Sequence, residues 1–315
     1  MNKIYLTVST FIVVFLLLAI ANGPKNHQLS NYQTSPMPII QDNDPYTSLI
    51  KCGPPEPHRG QEFKRYLAAS VLITHDNVGG SGTIVYYDRA KNEAYVASCG
   101  HLWDGTGQSA AELQSRPLNC KIGVWYHNEI KLSKAKTYNA TVVFWNKTEG
   151  YDTSLLKFTP DWKPDYFPIA PLNYNLVAGN HMHSCGCDGG SEVARYDVEI
   201  VGYRKRNDQS MNPPIDLITI RNSPRPGRSG GGLLSEDGYY VATCWGTSKP
   251  DGSGIGVFTP LRSIHQIYAK NGYGWLLNIS KGWAHKLPIV DKNNPQNTYD
   301  SDYIRYPNNS ISIPR

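Results

Sequence analysis

A glycine-rich segment around a single serine, residues 226–234, constrains this chain more than any other part of it. The segment reads Pro-Gly-Arg-Ser-Gly-Gly-Gly-Leu-Leu, so Ser229 lies among four glycines just before an apolar pair. Glycine at this density indicates a backbone that adopts conformations closed to other residues or approaches another group closely. A serine becomes a nucleophile when a base accepts its proton and backbone N–H groups stabilise the oxyanion. Gly227 and Ser229 are placed to donate those N–H groups, although a glycine-rich loop between strands is the simpler alternative.

Two segments upstream add the other residue types that this chemistry needs. Residues 94–102 form an apolar run that carries His101 near its end, and residues 151–158 place Asp152 at the start of a strand-like run. A histidine can act as the base, and an aspartate can fix the tautomer of the imidazole ring. Each has a simpler explanation as well, because a lone histidine is often a core residue and an aspartate often begins a turn.

The order His101, Asp152, Ser229 and the local sequences around it resemble the trypsin-like serine peptidases. Five patterns carry the resemblance: G-S-G-T at 80–83, a strand followed by His101, D-x-S-L-L from Asp152, G-x-S-G-G at 227–231 and Cys-Trp-Gly at 244–246. The resemblance implies an all-β fold of two six-stranded antiparallel β-barrels with a C-terminal helix. It also implies that the first barrel carries His101 and Asp152 and that the second carries Ser229. The G-R-S-G-G-G-L pattern at 227–233 and the Cys-Gly-Cys-Asp-Gly-Gly stretch at 185–190 are more similar to bacterial exported members than to animal ones.

By this resemblance, His101 is the general base, Asp152 orients its imidazole ring, and Ser229 is the nucleophile. The backbone N–H groups of Gly227 and Ser229 form the oxyanion hole. Asp88 and Asp104 lie outside the pattern that marks the triad aspartate. The residues expected to contact the substrate are Ser223, Cys244, Trp245, Gly246 and Gly256.

Three positions depart from the digestive members of the family. Arg228 stands where those enzymes have an aspartate that pairs with a newly cut N-terminus, so that ion pair is not available here. Cys244 stands in place of a serine that hydrogen-bonds the triad aspartate, and a thiol is a weaker donor than a hydroxyl. Gly232 replaces a proline, which we interpret as variation within the family.

The resemblance also identifies residues of the pocket for the residue before the scissile bond. The resemblance places Ser223 near its base, and Gly246 and Gly256 line its walls and leave it open. The bottom of the pocket has no carboxylate, which does not support a preference for Arg or Lys. Thr243 stands where glutamate-specific relatives carry a histidine, so the sequence does not support a preference for glutamate either. We therefore expect a medium-sized apolar or aromatic side chain.

The chain starts with an export signal. Lys3 precedes the unbroken apolar run 11–21, and Ala19-Ile20-Ala21 fits a signal-peptidase site, so we expect cleavage after residue 21. An uncleaved membrane anchor is the alternative, although the unbroken run is shorter than the roughly 20 residues that a span needs. We divide the chain into a signal peptide (1–21), a polar leader or linker (22–62), the peptidase domain (63–282, with barrels at about 63–160 and 170–282) and an irregular tail (283–315).

Short strands separated by turns predict a barrel or sandwich rather than alternating helices and strands. For the first barrel we predict strands at 69–74, 82–87, 94–98, 121–126, 141–145 and 154–158. A proline-rich linker at 159–171 follows, and for the second barrel we predict strands at 181–185, 193–203, 217–221, 233–234, 239–244 and 256–258. Residues 261–270 have helical spacing and match the helix that closes the family's second barrel.

The charge balance limits the partners. A formal net charge of +5 over 315 residues is too small to indicate a nucleic-acid footprint or a polybasic membrane patch. We expect a protein or peptide substrate, no nucleic acid, no membrane contact after signal cleavage, no cofactor and a monomeric protein.

Six cysteines add a further expectation. They are Cys52, Cys99, Cys120, Cys185, Cys187 and Cys244. An even number in an exported chain favours disulfides, one of which would join Cys185 or Cys187 to Cys244. The alternating residues His181, His183, Cys185 and Cys187 also suit zinc by ligand type. On an extended strand these side chains span about 20 Å, which one ion cannot bridge unless the chain folds back, so we expect disulfides rather than a metal.

The sequence therefore predicts a secreted or periplasmic serine endopeptidase that acts through an acyl-enzyme. The main alternative is a catalytically inactive homologue that binds proteins through the same cleft, because Arg228 and Cys244 depart from the pattern. A third hypothesis is a metal-dependent hydrolase that uses the His/Cys cluster at 181–187. Such an enzyme would lose activity with chelators and keep it in Ser229→Ala.

Overall fold

The structure is a computed structural model of the chain. It describes residues 64–76, 78–106, 117–127, 130–148, 150–205, 216–248 and 254–280. The expected signal peptide (1–21), leader (22–62) and tail (283–315) lie outside the described residues, as does Cys52. In the described part of the chain, no helix is long and apolar enough to cross a membrane.

The first half of the described chain forms a closed six-stranded barrel. Its strands are β1 (Ser70–His75), β2 (Val78–Asp88), β3 (Glu93–Ser98), β4 (Leu118–His127), β5 (Ile130–Asn146) and β6 (Thr153–Phe158). Their order around the barrel is β1-β2-β3-β6-β5-β4, and antiparallel pairing of β1 with β4 closes it. Apolar side chains such as Ile73, Val96 and Leu156 fill the interior. All six predicted strands are present, although β5 begins well before its predicted start.

The second half repeats this architecture. Its strands are β7 (His181–Cys187), β8 (Val193–Lys205), β9 (Asp216–Ile220), β10 (Gly232–Leu234), β11 (Tyr240–Thr247) and β12 (Gly256–Pro260). Their order is β10-β11-β12-β9-β8-β7, and β10 pairs with β7 to close the barrel. The predicted all-β fold of two six-stranded antiparallel barrels is therefore confirmed.

Two helices pack across the boundary between the barrels. The short helix α1 (Lys64–Ala68) precedes β1, yet its Tyr66 ring packs edge-on against His183 of β7 with centroids 4.5 Å apart. The helix α2 (Leu261–Lys270) follows β12, yet its Tyr268 ring lies 5.0 Å from Phe144 of the first barrel. The sequence predicted α2 at the observed bounds but did not predict α1.

A continuous core joins the two barrels. One cluster of buried side chains contains Val85 and Tyr95 of the first barrel together with Tyr240, Phe258 and Ile264 of the second. Burial of this apolar surface stabilises the contact between the barrels. The loops at their junction are therefore held by packed strands on both sides.

The disulfide expected between Cys185 or Cys187 and Cys244 is not formed. All five described cysteines (Cys99, Cys120, Cys185, Cys187 and Cys244) are buried free thiols. Cys185 and Cys244 pack in the core between the barrels, whereas Cys187 packs in a separate small cluster beneath α1. Each thiol thus fills apolar space as a small hydrophobic side chain.

Candidate active site

His101 and Asp152 meet at one end of the first barrel. His101 opens a 3₁₀ helix (His101–Thr106) shortly after β3, and Asp152 immediately precedes β6. Because β3 and β6 pair with Ser98 opposite Ser154, the two residues emerge side by side. The Asp152 carboxylate is fully buried and lies 2.6 Å from His101 Nδ1 through its Oδ2 atom. Its Oδ1 atom accepts hydrogen bonds from the N–H groups of Gly100 at 2.8 Å and His101 at 2.7 Å.

The second ring nitrogen of His101 lies beside a thiol. The distance from His101 Nε2 to Cys99 Sγ is 3.6 Å. Burial, reinforced by the nearby Asp152 carboxylate, raises the pKa of the Cys99 thiol well above its usual value. Cys99 is therefore a neutral thiol, and its S–H is a weak donor toward the ring.

Ser229 lies at the junction of the two barrels. Its carbonyl accepts a hydrogen bond from Ser81 N of β2 at 2.7 Å. The next residue, Gly230, donates to Cys244 O at 2.8 Å, and a Cβ on Gly230 would lie only 3.0 Å from Cys99 N. The loop that carries the serine thus packs against the chain that leads to His101. Both residues are described, and no hydrogen bond joins the Ser229 hydroxyl to the His101 ring.

The N–H groups of Gly227 and Ser229, which are the two expected oxyanion donors, make no hydrogen bond to the described part of the protein. Among the described residues, no acceptor receives a hydrogen bond from the N–H group of Gly227 or of Ser229. Gly227 has a φ of 89°, a conformation that favours glycine.

The structure brings most of the expected substrate contacts together. Cys244, Trp245 and Gly246 lie on β11, which pairs with β12 so that Thr247 is opposite Gly256. Ser223 is buried and lines a small cavity with Arg225 and Arg228. The other four expected contact residues do not line that cavity. Ser223 is thus associated with the loop that leads to Gly227 rather than with the strands of the expected pocket wall.

The Cys244 thiol does not make the hydrogen bond to Asp152 that is expected of a serine at this position. In the described part of the chain, the Asp152 carboxylate is hydrogen-bonded to the backbone N–H groups of Gly100 and His101 and to the His101 ring. It has no hydrogen bond with Cys244 there. Burial raises the pKa of Cys244 to about 12, although nearby Arg228 lowers it and Asp152 raises it further. Backbone N–H groups therefore provide the support that Asp152 lacks from residue 244.

Neither cysteine-containing group suits a metal ion. Cys99, His101 and Asp152 have potential ligand atoms within 4.8 Å of one another, but both Asp152 oxygens already accept bonds from residues 100 and 101. The other group lies on β7, which is unbroken from His181 to Cys187. Within it, His183 Nδ1 lies 2.8 Å from Asp197 Oδ1, and the Cys185 and Cys187 thiols point into different core clusters.

Sequence reasoning overlooked three residues that surround the site. Cys99 lies inside the pattern that ends on His101, and Ser81 lies inside G-S-G-T. Asp188 follows the Cys-Gly-Cys run and lies 3.1 Å from Arg228. Each belongs to a segment that was already singled out. The partners of Ser81 and Asp188 are distant in sequence, whereas Cys99 lies two residues from His101.

Comparison with known proteins places this geometry in a family. A model of the trypsin-like peptidase domain matches residues 80–242, which is more than half of the chain. Comparison with curated proteins found no match.

Several solved structures are similar to the chain. A serine-to-alanine mutant of Rv3671c from M. tuberculosis H37Rv, in an inactive form, aligns with a TM-score of 0.50 and 18% identity over 70% of this chain and 96% of that chain. The MamO protease domain from Magnetospirillum magneticum aligns with a TM-score of 0.46 and 17% identity, over 65% and 98% of the two chains. The serine endoprotease from Yersinia pestis aligns with a TM-score of 0.47 and 16% identity, over 67% and 65%. The first of these similarities agrees with the double-barrel fold. With its match to the domain model across both barrels, the chain belongs to the family of trypsin-like peptidase domains.

Proposed function

We propose that this protein is a serine endopeptidase in which His101, Asp152 and Ser229 form the catalytic triad. The observation that carries the proposal is the buried Asp152 carboxylate 2.6 Å from His101 Nδ1. This contact leaves Nε2 as the nitrogen that can exchange a proton with a nucleophile. The ring is about one-third exposed, which suits a base that must meet a substrate.

The reaction would proceed through an acyl-enzyme. His101 Nε2 accepts the Ser229 proton as Oγ attacks the scissile carbonyl carbon, and the same nitrogen then protonates the leaving amine. The N–H groups of Gly227 and Ser229 stabilise the oxyanion of the tetrahedral intermediate. A water molecule then attacks the ester, with His101 again acting as base, and releases the acid. No cofactor is required for these steps.

The substrate would be a protein or peptide that lies along β11. Trp245 and Gly246 on that strand, with Gly256 on β12, would contact the residue before the scissile bond. Ser223 offers no negative charge at the expected pocket base, so a medium-sized apolar or aromatic side chain is preferred over Arg or Lys. The signal expected at residues 1–21 supports a secreted or periplasmic location.

A specific observation also favours a second candidate, an inactive homologue that binds proteins in the same cleft. His101 Nε2 lies beside Cys99 Sγ, and in the described structure the Ser229 hydroxyl makes no hydrogen bond to that ring. Catalytic hydrogen bonds are often longer without substrate and tighten in the complex. The two candidates therefore differ in whether the serine becomes activated.

Covalent labelling with a fluorophosphonate distinguishes them. We expect the purified, folded protein to be labelled at Ser229, and we expect Ser229→Ala and His101→Ala to lose the label. His181→Ala is the matched control, because His181 is an exposed histidine of β7 outside the proposed triad, and this variant should keep the label. A folded wild-type protein that resists labelling would favour the binding homologue. Labelling that persists in Ser229→Ala would show that another nucleophile is active.

A further inference from the structure

Four consecutive carbonyl groups around Ser229 each accept a hydrogen bond. The donors to Pro226 O, Gly227 O, Arg228 O and Ser229 O are, in this order, Gly189 N at 2.6 Å, Ser81 Oγ at 2.7 Å, Gly231 N at 2.8 Å and Ser81 N at 2.7 Å. The carbonyl and N–H groups of a trans peptide point in opposite directions. The bonds from Gly189 and Gly231 therefore turn the N–H groups of Gly227 and Ser229 away from these donors. We call residues 226–229 the oxyanion loop.

The Arg228 side chain ties the oxyanion loop to the hairpin between β7 and β8. It is only 1% exposed, and its guanidinium donates to Asp188 Oδ1 at 3.1 Å. It lies 4.4 Å from the centre of the Tyr196 ring. Its further acceptors are the backbone carbonyls of Ser184, Gly186 and Ala194. The planar group with its five N–H donors suits so many acceptors, which a lysine could not reach together.

Asp188 forms a second link to the oxyanion loop, through the backbone of the residue that follows it. Its carboxylate is 8% exposed and accepts hydrogen bonds from Arg228 and from the Tyr196 hydroxyl. The next residue, Gly189, is the donor that holds Pro226 O. A buried charge is costly when its partner is removed. The pair therefore fixes both the side chain inside the loop and the turn that orients the Gly227 N–H.

The charges around Arg228 do not suit an inserted amino terminus. The small cavity beside it is also lined by Arg225. A terminal ammonium brought to this cavity would approach two positive charges, which repel it. The negative partner of Arg228 is the internal residue Asp188, so the loop is anchored within the second barrel.

We propose that Arg228 and Asp188 are positioning residues that hold the oxyanion loop so that neither donor N–H group has an acceptor among the described residues. The kinetic consequence rests on the endopeptidase function proposed above. The shape of the loop does not depend on that function. Ser81 supports the same shape from the first barrel, because its hydroxyl donates to Gly227 O and accepts from Cys187 N at 2.7 Å.

Three substitutions test the pair. Arg228→Met keeps most of the length of the side chain and removes the guanidinium, while Asp188→Asn keeps the shape and removes the charge. Asp188→Asn is also the milder change if Arg228→Met folds poorly. Arg195→Met is the matched control, because Arg195 is a buried arginine of the same barrel that pairs with Asp197 at 2.7 Å.

Two measurements separate the shape of the loop from its catalytic consequence. We expect hydrogen–deuterium exchange at Gly189 and Gly231 to become at least about 10-fold faster in Arg228→Met and Asp188→Asn and to stay unchanged in Arg195→Met. We expect kcat to fall by about 10²-fold with KM nearly unchanged, since an oxyanion donor acts only in the transition state. The double variant should be no worse than the worse single variant, because the two residues act as one unit. Arg228→Lys should recover part of the lost kcat.

The outcomes are distinct. Unchanged exchange and unchanged kcat in both variants would overturn the proposal. Equal effects in Arg195→Met would also overturn it, because they would indicate a general loss of stability. If the wild-type protein neither hydrolyses peptides nor reacts with a fluorophosphonate, the endopeptidase proposal fails. In that case faster exchange in the two variants alone still supports the positioning role, and unchanged exchange rejects it.

Discussion

Gly100 allows two parts of the candidate site to approach each other closely. Gly100 precedes His101, and a Cβ on Gly100 would lie 1.9 Å from the carbonyl oxygen of Asn146 at the end of β5. The Gly100 N–H also donates to Asp152 at 2.8 Å. The residue before the histidine is therefore held by β5 and by the aspartate at once, and it sets the position from which the His101 side chain starts.

We expect Gly100→Ala to destabilise the protein and to reduce fluorophosphonate labelling. The new methyl group would overlap a backbone carbonyl, which no side-chain rotation can relieve, so a loss of about 3 kcal/mol is expected. For a domain of this size that loss lowers the melting temperature by about 6–12 °C. Gly79→Ala in β2 is the matched control, since a Cβ there meets no atom nearer than 4.0 Å. Equal melting temperatures for the two variants would contradict this assignment.

Among the strands, β7 places two histidines in different environments. His181 is exposed, whereas His183 is buried between Asp197 of β8 and the Tyr66 ring of α1. Burial, together with the charge of nearby Arg195, lowers the pKa of His183, although Asp197 acts in the opposite direction. The folded protein therefore favours the neutral ring more than the unfolded chain does.

The free energy of unfolding should fall as the pH is lowered below about 6.5, the ordinary histidine pKa. In that range the unfolded chain binds a proton at His183 more tightly than the folded protein does. We expect the drop in melting temperature between about pH 7.5 and about pH 5 to be smaller in His183→Gln than in the wild type. His181→Gln should keep the wild-type drop. His127 and His265, whose pKa values burial also lowers, should preserve part of it in every variant. Identical drops in the wild type and His183→Gln would contradict the buried neutral ring.

Across the whole molecule, the two barrels share one core that encloses thiols as well as hydrocarbon side chains. Cys185 and Cys244 lie within this core. Burial raises the pKa of Cys120, Cys185, Cys187 and Cys244 to about 12. Thiols in this state present neither an accessible surface nor the thiolate that oxidation and alkylation require. The fold therefore protects them even in an oxidising compartment.

We expect a reducing agent to leave the melting temperature unchanged. Iodoacetamide should react slowly with the native protein and should modify all five described cysteines once the protein is denatured without reductant. Peptide mass spectrometry reads both results. A disulfide-linked peptide pair that joins Cys185 or Cys187 to Cys244 would contradict the free thiols of the structure.

Local sequence was sufficient for the predicted strands, because alternating apolar residues and turn residues act over a few positions. The strand pattern alone left a barrel and a sandwich open, and the resemblance to the trypsin-like serine peptidases supplied the two six-stranded barrels. Local sequence also singled out His101, Asp152 and Ser229 through short patterns around each residue, and the structure brings the His101 and Asp152 side chains together. The roles of the three residues in catalysis stay predictions until the labelling experiment is done.

Contacts between distant segments could not be predicted in this way. Arg228 was recognised as a departure, but its partner Asp188 lies in the turn between β7 and β8, and only the closure of the second barrel brings the two charges together. The cysteines appeared suited to disulfides by number, yet packing directs their thiols into separate parts of the core. Helix α1 precedes the first barrel in sequence but also packs against the second. Such pairings depend on strand register and on the packing of side chains that are far apart in the chain, and neither leaves a periodic signal in the sequence.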